Sequence, residues 1–112
     1  MPDAGALEAL RETARRFAEK QVAPRAAELD ATEACPRDIY EGLARLGLFG
    51  ITVPEAMGGA AAGVVAYALV MEELSRGYAS VADQVGLVEL LATLLSEHGS
   101  AQQRAEFLAP LL

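Results

Sequence analysis

The sequence predicts an all-α fold, an orthogonal or up-down bundle of about five helices forming one domain over residues 1–112. Three observations carry this. Apolar residues recur at helical spacing along most of the chain. Val, Ile and Thr are sparse, and no stretch alternates with period two for long. Pro and Gly punctuate the chain at places that start and stop helices rather than hairpins.

The first helix is expected over about Ala6 to Leu29. Leu7, Leu10, Ala14, Phe17 and Ala18 mark one face, and Glu8, Glu12, Arg15, Arg16 and Glu19 the other. Pro24 falls inside this pattern. It removes a backbone donor and crowds the preceding turn, which predicts a kink or break near Lys20 to Val22. After a connector from Asp30 to Cys35, Pro36 takes a first helical position, where its missing N–H costs nothing. Ile39, Leu43 and Leu46 are the buried stripe of this second helix, and Gly47 ends it as a left-handed cap. Leu48 to Val53 is apolar and expected to be extended. Pro54 to Gly59 is a turn in which the Gly pair permits positive φ.

The third helix is placed from about Ala61 to Arg76, closed by Gly77. Its first half is apolar on every side and is expected to be buried all round. The fourth runs from about Ser80 to His98, with Gly99 as its cap. It is also nearly apolar all round, interrupted by Asp83, Gln84, Glu89 and Thr93, which predicts packing on several sides. Ser100 and Gln103 form a capping box that opens a last helix, with Ala101, Ala105, Leu108 and Leu112 as its stripe and Pro110 near its end.

Hydrophobic residues make up 53% of the chain and mean hydropathy is +0.24, both high for one small domain. Either some apolar surface rests against something outside these residues, or the chain is merely rich in alanine. A net charge of −7 argues against nucleic acid and anionic membrane as partners, since both need a basic face. The single cysteine, Cys35, excludes an internal disulfide. Asp3 and Glu8 with no long apolar core after them predict no signal peptide. The longest apolar run, Ala60 to Met71, has 12 residues against the ~20 a bilayer needs, so no membrane insertion and a cytoplasmic location are expected.

No catalytic constellation is visible. His98 sits in the last turn of a helix, where the dipole favours a cation. Glu72 and Glu73 are adjacent, so they point about 100° apart and read as surface or interface charges near Arg76. Gly58-Gly59 lacks both the leading strand and the Lys-Ser/Thr of a phosphate loop. No residue is assigned as catalytic, cofactor-binding or metal-ligating.

Four segments in order resemble the acyl-CoA dehydrogenase family over nearly the whole chain. They are RRFAEKQVAPRAAELD (Arg15 to Asp30), CPRDIYEGLARLGLFGITVPEAMGG (Cys35 to Gly59), VMEELSRG (Val70 to Gly77) and HGSAQQRAEFLAPLL (His98 to Leu112). The resemblance implies the N-terminal helical domain of an FAD-dependent, usually homotetrameric enzyme. The middle β-domain, which holds much of the FAD site, and the C-terminal helical domain, which supplies a catalytic Glu, lie outside these residues. That Glu takes the α-proton of an acyl-CoA thioester while the flavin takes hydride from the β-carbon. The fragment alone is expected to be inactive and to bind no flavin. Flavin oxidases and monooxygenases share this domain, and a stand-alone interaction module is the alternative of another class.

By the same resemblance, the fourth helix walls part of the acyl-chain pocket. Matching back from Gly99 without gaps places Ala82, Asp83, Gly86, Leu87 and Leu90 at the pocket-facing positions; the alternative is that they are core residues. Gly86 costs about 1 kcal/mol relative to Ala in a helix, so it is expected to make room for an acyl group or a neighbouring helix. The chain departs from the family pattern at Ala60 to Ala62, at Met57, and at Leu87 and Val88, which leaves the substrate class open.

Overall fold

The computed structural model describes residues 2–112, and every regular element among them is helical. Helix α1 spans Ala4–Phe17 and starts two residues earlier than periodicity predicts, because the Asp3 carboxylate caps it by accepting the Ala6 N–H at 2.8 Å. The break expected before Pro24 is present, as a π-helical turn over Ala18–Val22 and a 3-10 turn over Ala23–Arg25, and α2 (Ala26–Thr32) continues the rod. Helix α3 (Arg37–Arg45) ends in the predicted left-handed Gly47, with φ of 73°. Gly47 N–H donates to the Ala44 carbonyl and Leu48 N–H to that of Leu43, which closes the helix with two buried leucines stacked at its end.

Helices α4 (Gly63–Gly77) and α5 (Ala79–His98) are joined by the single extended residue Tyr78. The Ser100–Gln103 capping box is present in full and opens α6 (Ala101–Gln103). That helix runs through a second π turn (Arg104–Leu108) into α7 (Ala109–Leu111). Counted as rods, this is the expected five-helix bundle.

Helix α4 is the hub and packs against both α1 and α5. The main core joins Ala14, Val22, Leu43, Val70, Leu74 and Val85, and a second small cluster joins Val53, Ala92 and Leu108. The Cα envelope is a plate of 41 × 33 × 17 Å. Its radius of gyration is 14.1 Å, against about 13 Å for a compact domain of this length. A plate this thin cannot cover both faces of its helices, and this corrects two expectations. Helix α4 is not buried all round, since Val64 is 71% exposed and Val65 is also open. Nor is α5, where Leu87, Leu90, Leu91 and Leu94 form one exposed stripe at i, i+3, i+4, i+7 spacing. The apolar surplus in the composition therefore lies in exposed leucines and Phe107 rather than in alanine alone. By length and hydropathy alone α5 is long and apolar enough to cross a membrane, yet its inner side carries core residues and a buried carboxylate.

Three further expectations are corrected. Leu48 to Val53 is not extended: it is a series of bends with Gly50 at φ 73°, and its Ile51 and Thr52 amides point to a side chain rather than a strand partner. In the Gly pair only Gly58 uses positive φ. Gly59 is needed for closeness, since a Cβ there would lie 2.1 Å from the Val53 carbonyl oxygen. In the last helix Ala101 and Ala105 are exposed, because the extra residue in the π turn rotates the face and leaves Leu108 as its buried member.

Glu73 is not a surface charge. It is 1% exposed and lies among three guanidinium groups. Arg11 Nε donates to it at 2.9 Å, Arg15 at 3.3 Å and Arg76 at 3.3 Å, which binds α1 to α4. The hydrogen bond from Arg15 is the largest influence and holds the carboxyl below the ordinary Glu value, against the upward push of burial, with Arg11 adding to the fall. The same contact raises Arg11 and Arg15 further above their already high values.

A depressed carboxyl contributes stability that is present above its unfolded value and lost as pH falls through its folded one. The raised arginines contribute fully at every pH below their unfolded value. Resistance to urea should therefore fall as pH drops below about 4, and Glu73→Gln should flatten that limb while costing about 3 kcal/mol at neutral pH. Parallel pH curves for the two proteins would rule this out. Gly59→Ala should cost at least about 2 kcal/mol by overpacking. Gly47→Ala, with no atom near its Cβ, should cost about 1 kcal/mol through its positive φ alone. Chemical denaturation measures both, and the order of the two is the test.

Candidate functional site

Helix α5 has three sides. Val81, Ala82, Val85, Ala92 and Ser96 face inward with Glu89. Leu87, Leu90, Leu91 and Leu94 form the open crest, and a groove lies on each flank. One groove, of about 530 Å3, lies toward the last helix and is lined by Leu91, Leu94, Leu95, His98, Phe107 and Leu111. His98 contributes an exposed ring there beside Glu97, as the helix-end reading implies. The other groove, of about 440 Å3, lies toward the start of α4. Gly86, Leu90 and Thr93 form its α5 wall, Val64 and Tyr67 its α4 wall, and Thr52 and Glu89 its end.

The structure brings two of the five expected pocket positions, Gly86 and Leu90, together in this second groove. Asp83 and Leu87 lie beside it on the exposed side of α5, while Ala82 is in the core. At Gly86 a Cβ would stand 3.1 Å from the Tyr67 hydroxyl and 3.2 Å from Met71 Cε, so the glycine lets α4 approach as well as leaving the groove open.

Glu89 is the residue that pattern reading passed over. It is 5% exposed. Its carboxylate accepts the Ile51 N–H at 2.9 Å, the Thr52 N–H at 2.6 Å and the Thr52 hydroxyl. All three partners are neutral. A signal was available: no Lys or Arg stands three or four residues to either side of Glu89. A lone carboxylate in an apolar helix must then find its donors elsewhere. Thr52 and Tyr67 had no such signal, since only the bent loop and the α4–α5 pairing bring them to the groove.

Among the described residues no buried side-chain nitrogen or oxygen lacks a partner, and no three His, Cys, Asp or Glu converge as metal ligands. Arg11, Arg15, Arg16, Arg25 and Arg76 all bond to carboxylates.

The family model described as "Acyl-CoA dehydrogenase, N-terminal domain" matches residues 5–112. The short-chain specific acyl-CoA dehydrogenase of Clostridium acetobutylicum is 36% identical over 109 residues, covering 93% of this chain and 28% of the relative. The (2S)-methylsuccinyl-CoA dehydrogenase of Cereibacter sphaeroides is 40% identical over 106 residues, covering 94% and 19%. The mitochondrial short-chain specific acyl-CoA dehydrogenase of Rattus norvegicus is 39% identical over 103 residues, covering 90% and 25%. The chain thus spans 19% to 28% of the length of these relatives.

Replacing Glu89 with Ala leaves two loop amides without their acceptor, at a cost of about 3 kcal/mol. Native-state hydrogen exchange should show the Ile51 and Thr52 amides losing protection well before those of α4. Unchanged protection at both would show that the carboxylate does not hold the loop.

Proposed function

Because this chain belongs to the acyl-CoA dehydrogenase family, as its N-terminal domain, we propose that it walls one side of the acyl pocket in an FAD-dependent enzyme that desaturates acyl-CoA thioesters at the α,β bond. The observation that carries the reading is the groove between α4 and α5. It is apolar on both long walls, opens where Gly86 removes a side chain, and lies beside a crest of leucines. A hydrocarbon tail laid there would gain about 25 cal/mol for each Å2 of apolar surface taken from water. Gly86 and Leu90 line the tail, with Asp83 and Leu87 facing whatever completes the pocket from beyond this domain. Ala82 supports them from within.

The family's flavin is carried elsewhere in the polypeptide. The groups present here do not fit a diphosphate and an isoalloxazine: the arginines that ring α1 and α4 are committed to carboxylates, and the grooves are apolar. This domain therefore supplies shape and exclusion of water, and the α-proton and hydride are handled outside it. The exposed stripe of α5 packs on those further domains or on another subunit of a homo-oligomer rather than on lipid. The enzyme acts in the cytoplasm. Alone, residues 1–112 are inactive.

The test is turnover by the full-length polypeptide on straight-chain acyl-CoA substrates of increasing length. Gly86→Leu should lower kcat/KM for the longer substrates by at least tenfold, about 1.4 kcal/mol, and leave the shortest nearly unchanged. A profile that does not depend on the Gly86 substitution would overturn the assignment of this groove.

A further inference from the structure

The chain holds two buried carboxylates and treats them in opposite ways. Glu73 has three guanidinium groups within hydrogen-bond reach, and its charge is neutralised where it stands. Glu89 has only two amide N–H groups and a hydroxyl, and it lies at the end of the α4–α5 groove. The other groups lining that groove are Thr52, Val64, Tyr67, Gly86, Leu90 and Thr93, none of them cationic. An anion held by dipoles keeps its net charge, and apolar walls screen it less than water does. The groove therefore carries a built-in negative field as well as an apolar surface.

We propose that Glu89 makes the groove selective among acyl groups, admitting uncharged tails and rejecting tails that end in a second carboxylate. The proposal rests on the reading that the groove receives the acyl chain. A second carboxylate entering here loses its water, finds only the neutral Tyr67 and Thr93 hydroxyls as donors, and faces the Glu89 charge with no cation in the lining, an arrangement that costs heavily. An alkyl, branched or hydroxylated tail meets neither penalty.

The experiment measures binding, so that it does not depend on the chemical step. Non-reactive S-alkyl-CoA thioethers of graded length are titrated into the full-length holoenzyme by calorimetry, each with its counterpart ending in a carboxylate and with the methyl ester of that carboxylate. At the length that reaches the groove, the carboxylate should bind at least tenfold more weakly than the alkyl form, 1.4 kcal/mol, and the ester should recover most of the loss. Glu89→Gln should narrow the gap between acid and alkyl forms.

Equal binding of acid and alkyl forms in the wild-type protein overturns the proposal. So does an ester that binds as weakly as the acid, because size rather than charge is then excluded. An acid penalty undiminished in a folded Glu89→Gln protein overturns it too, by locating the repulsion elsewhere. The ester comparison uses only wild-type protein, so it decides the matter if the variant does not fold. If the alkyl thioethers themselves fail to bind, the acyl-pocket reading falls first, and this is recognised by the loss of all three series together.

Discussion

The segment between α3 and α4 keeps its shape because one carboxylate, Glu89, reaches across from α5 and accepts two consecutive amides of its backbone. A loop without helix or strand must find partners for its N–H and C=O groups or lose stability. Here the remaining bonds fold the loop on itself, with Ala60, Ala61 and Ala62 donating to Gly50, Val53 and Ile51. Held in this way, the loop pushes Val53 into the small cluster with Ala92 and Leu108, which is what seats the last helix. The contact thus orders three elements at once: the loop, α5 and the last helix. Glu73 has a comparable role between α1 and α4. It acts with full charges, where a missing partner would leave an uncompensated ion in the interior.

The helices were legible in the sequence because their signals are local. Periodicity, the Gly47 cap, the Ser100–Gln103 box and the disturbance before Pro24 each involve residues within a turn or two of one another. What escaped depends on contacts between residues far apart in the chain. Leu48 to Val53 reads as a strand by its side chains, but its Thr52 and Ile51 amides go to Glu89, 37 and 38 residues away. Glu73 reads as an outer charge from its neighbour Arg76, and only the packing of α1 on α4 adds Arg11 and Arg15, 62 and 58 residues distant. Of the five expected pocket positions, helical phase alone could say that they share a broad side of α5. It could not say that the wall opposite Gly86 and Leu90 would be Val64 and Tyr67.

The two apolar helices illustrate a limit of pattern reading. A helix without a polar face is covered on all sides in the complete protein, but the cover need not come from the residues next to it in sequence. In this chain the plate-like packing of five rods covers the inner side of α5 and leaves its leucines open. Their spacing is that of a helix seam.

The two π turns share one design. In each, the residue just before a proline donates its N–H five positions back, Ala23 to Ala18 ahead of Pro24 and Ala109 to Arg104 ahead of Pro110. A proline that would otherwise stop the rod instead becomes a joint at which the rod continues with its azimuth advanced by one residue, about 100°. Each joint works as a phase shifter. Upstream of it and downstream of it, the same heptad arithmetic points to different sides of the molecule. Any comparison that carries a buried position across Val22 or Leu108 by counting turns will therefore land on the wrong flank of the helix, even where every residue is correctly aligned.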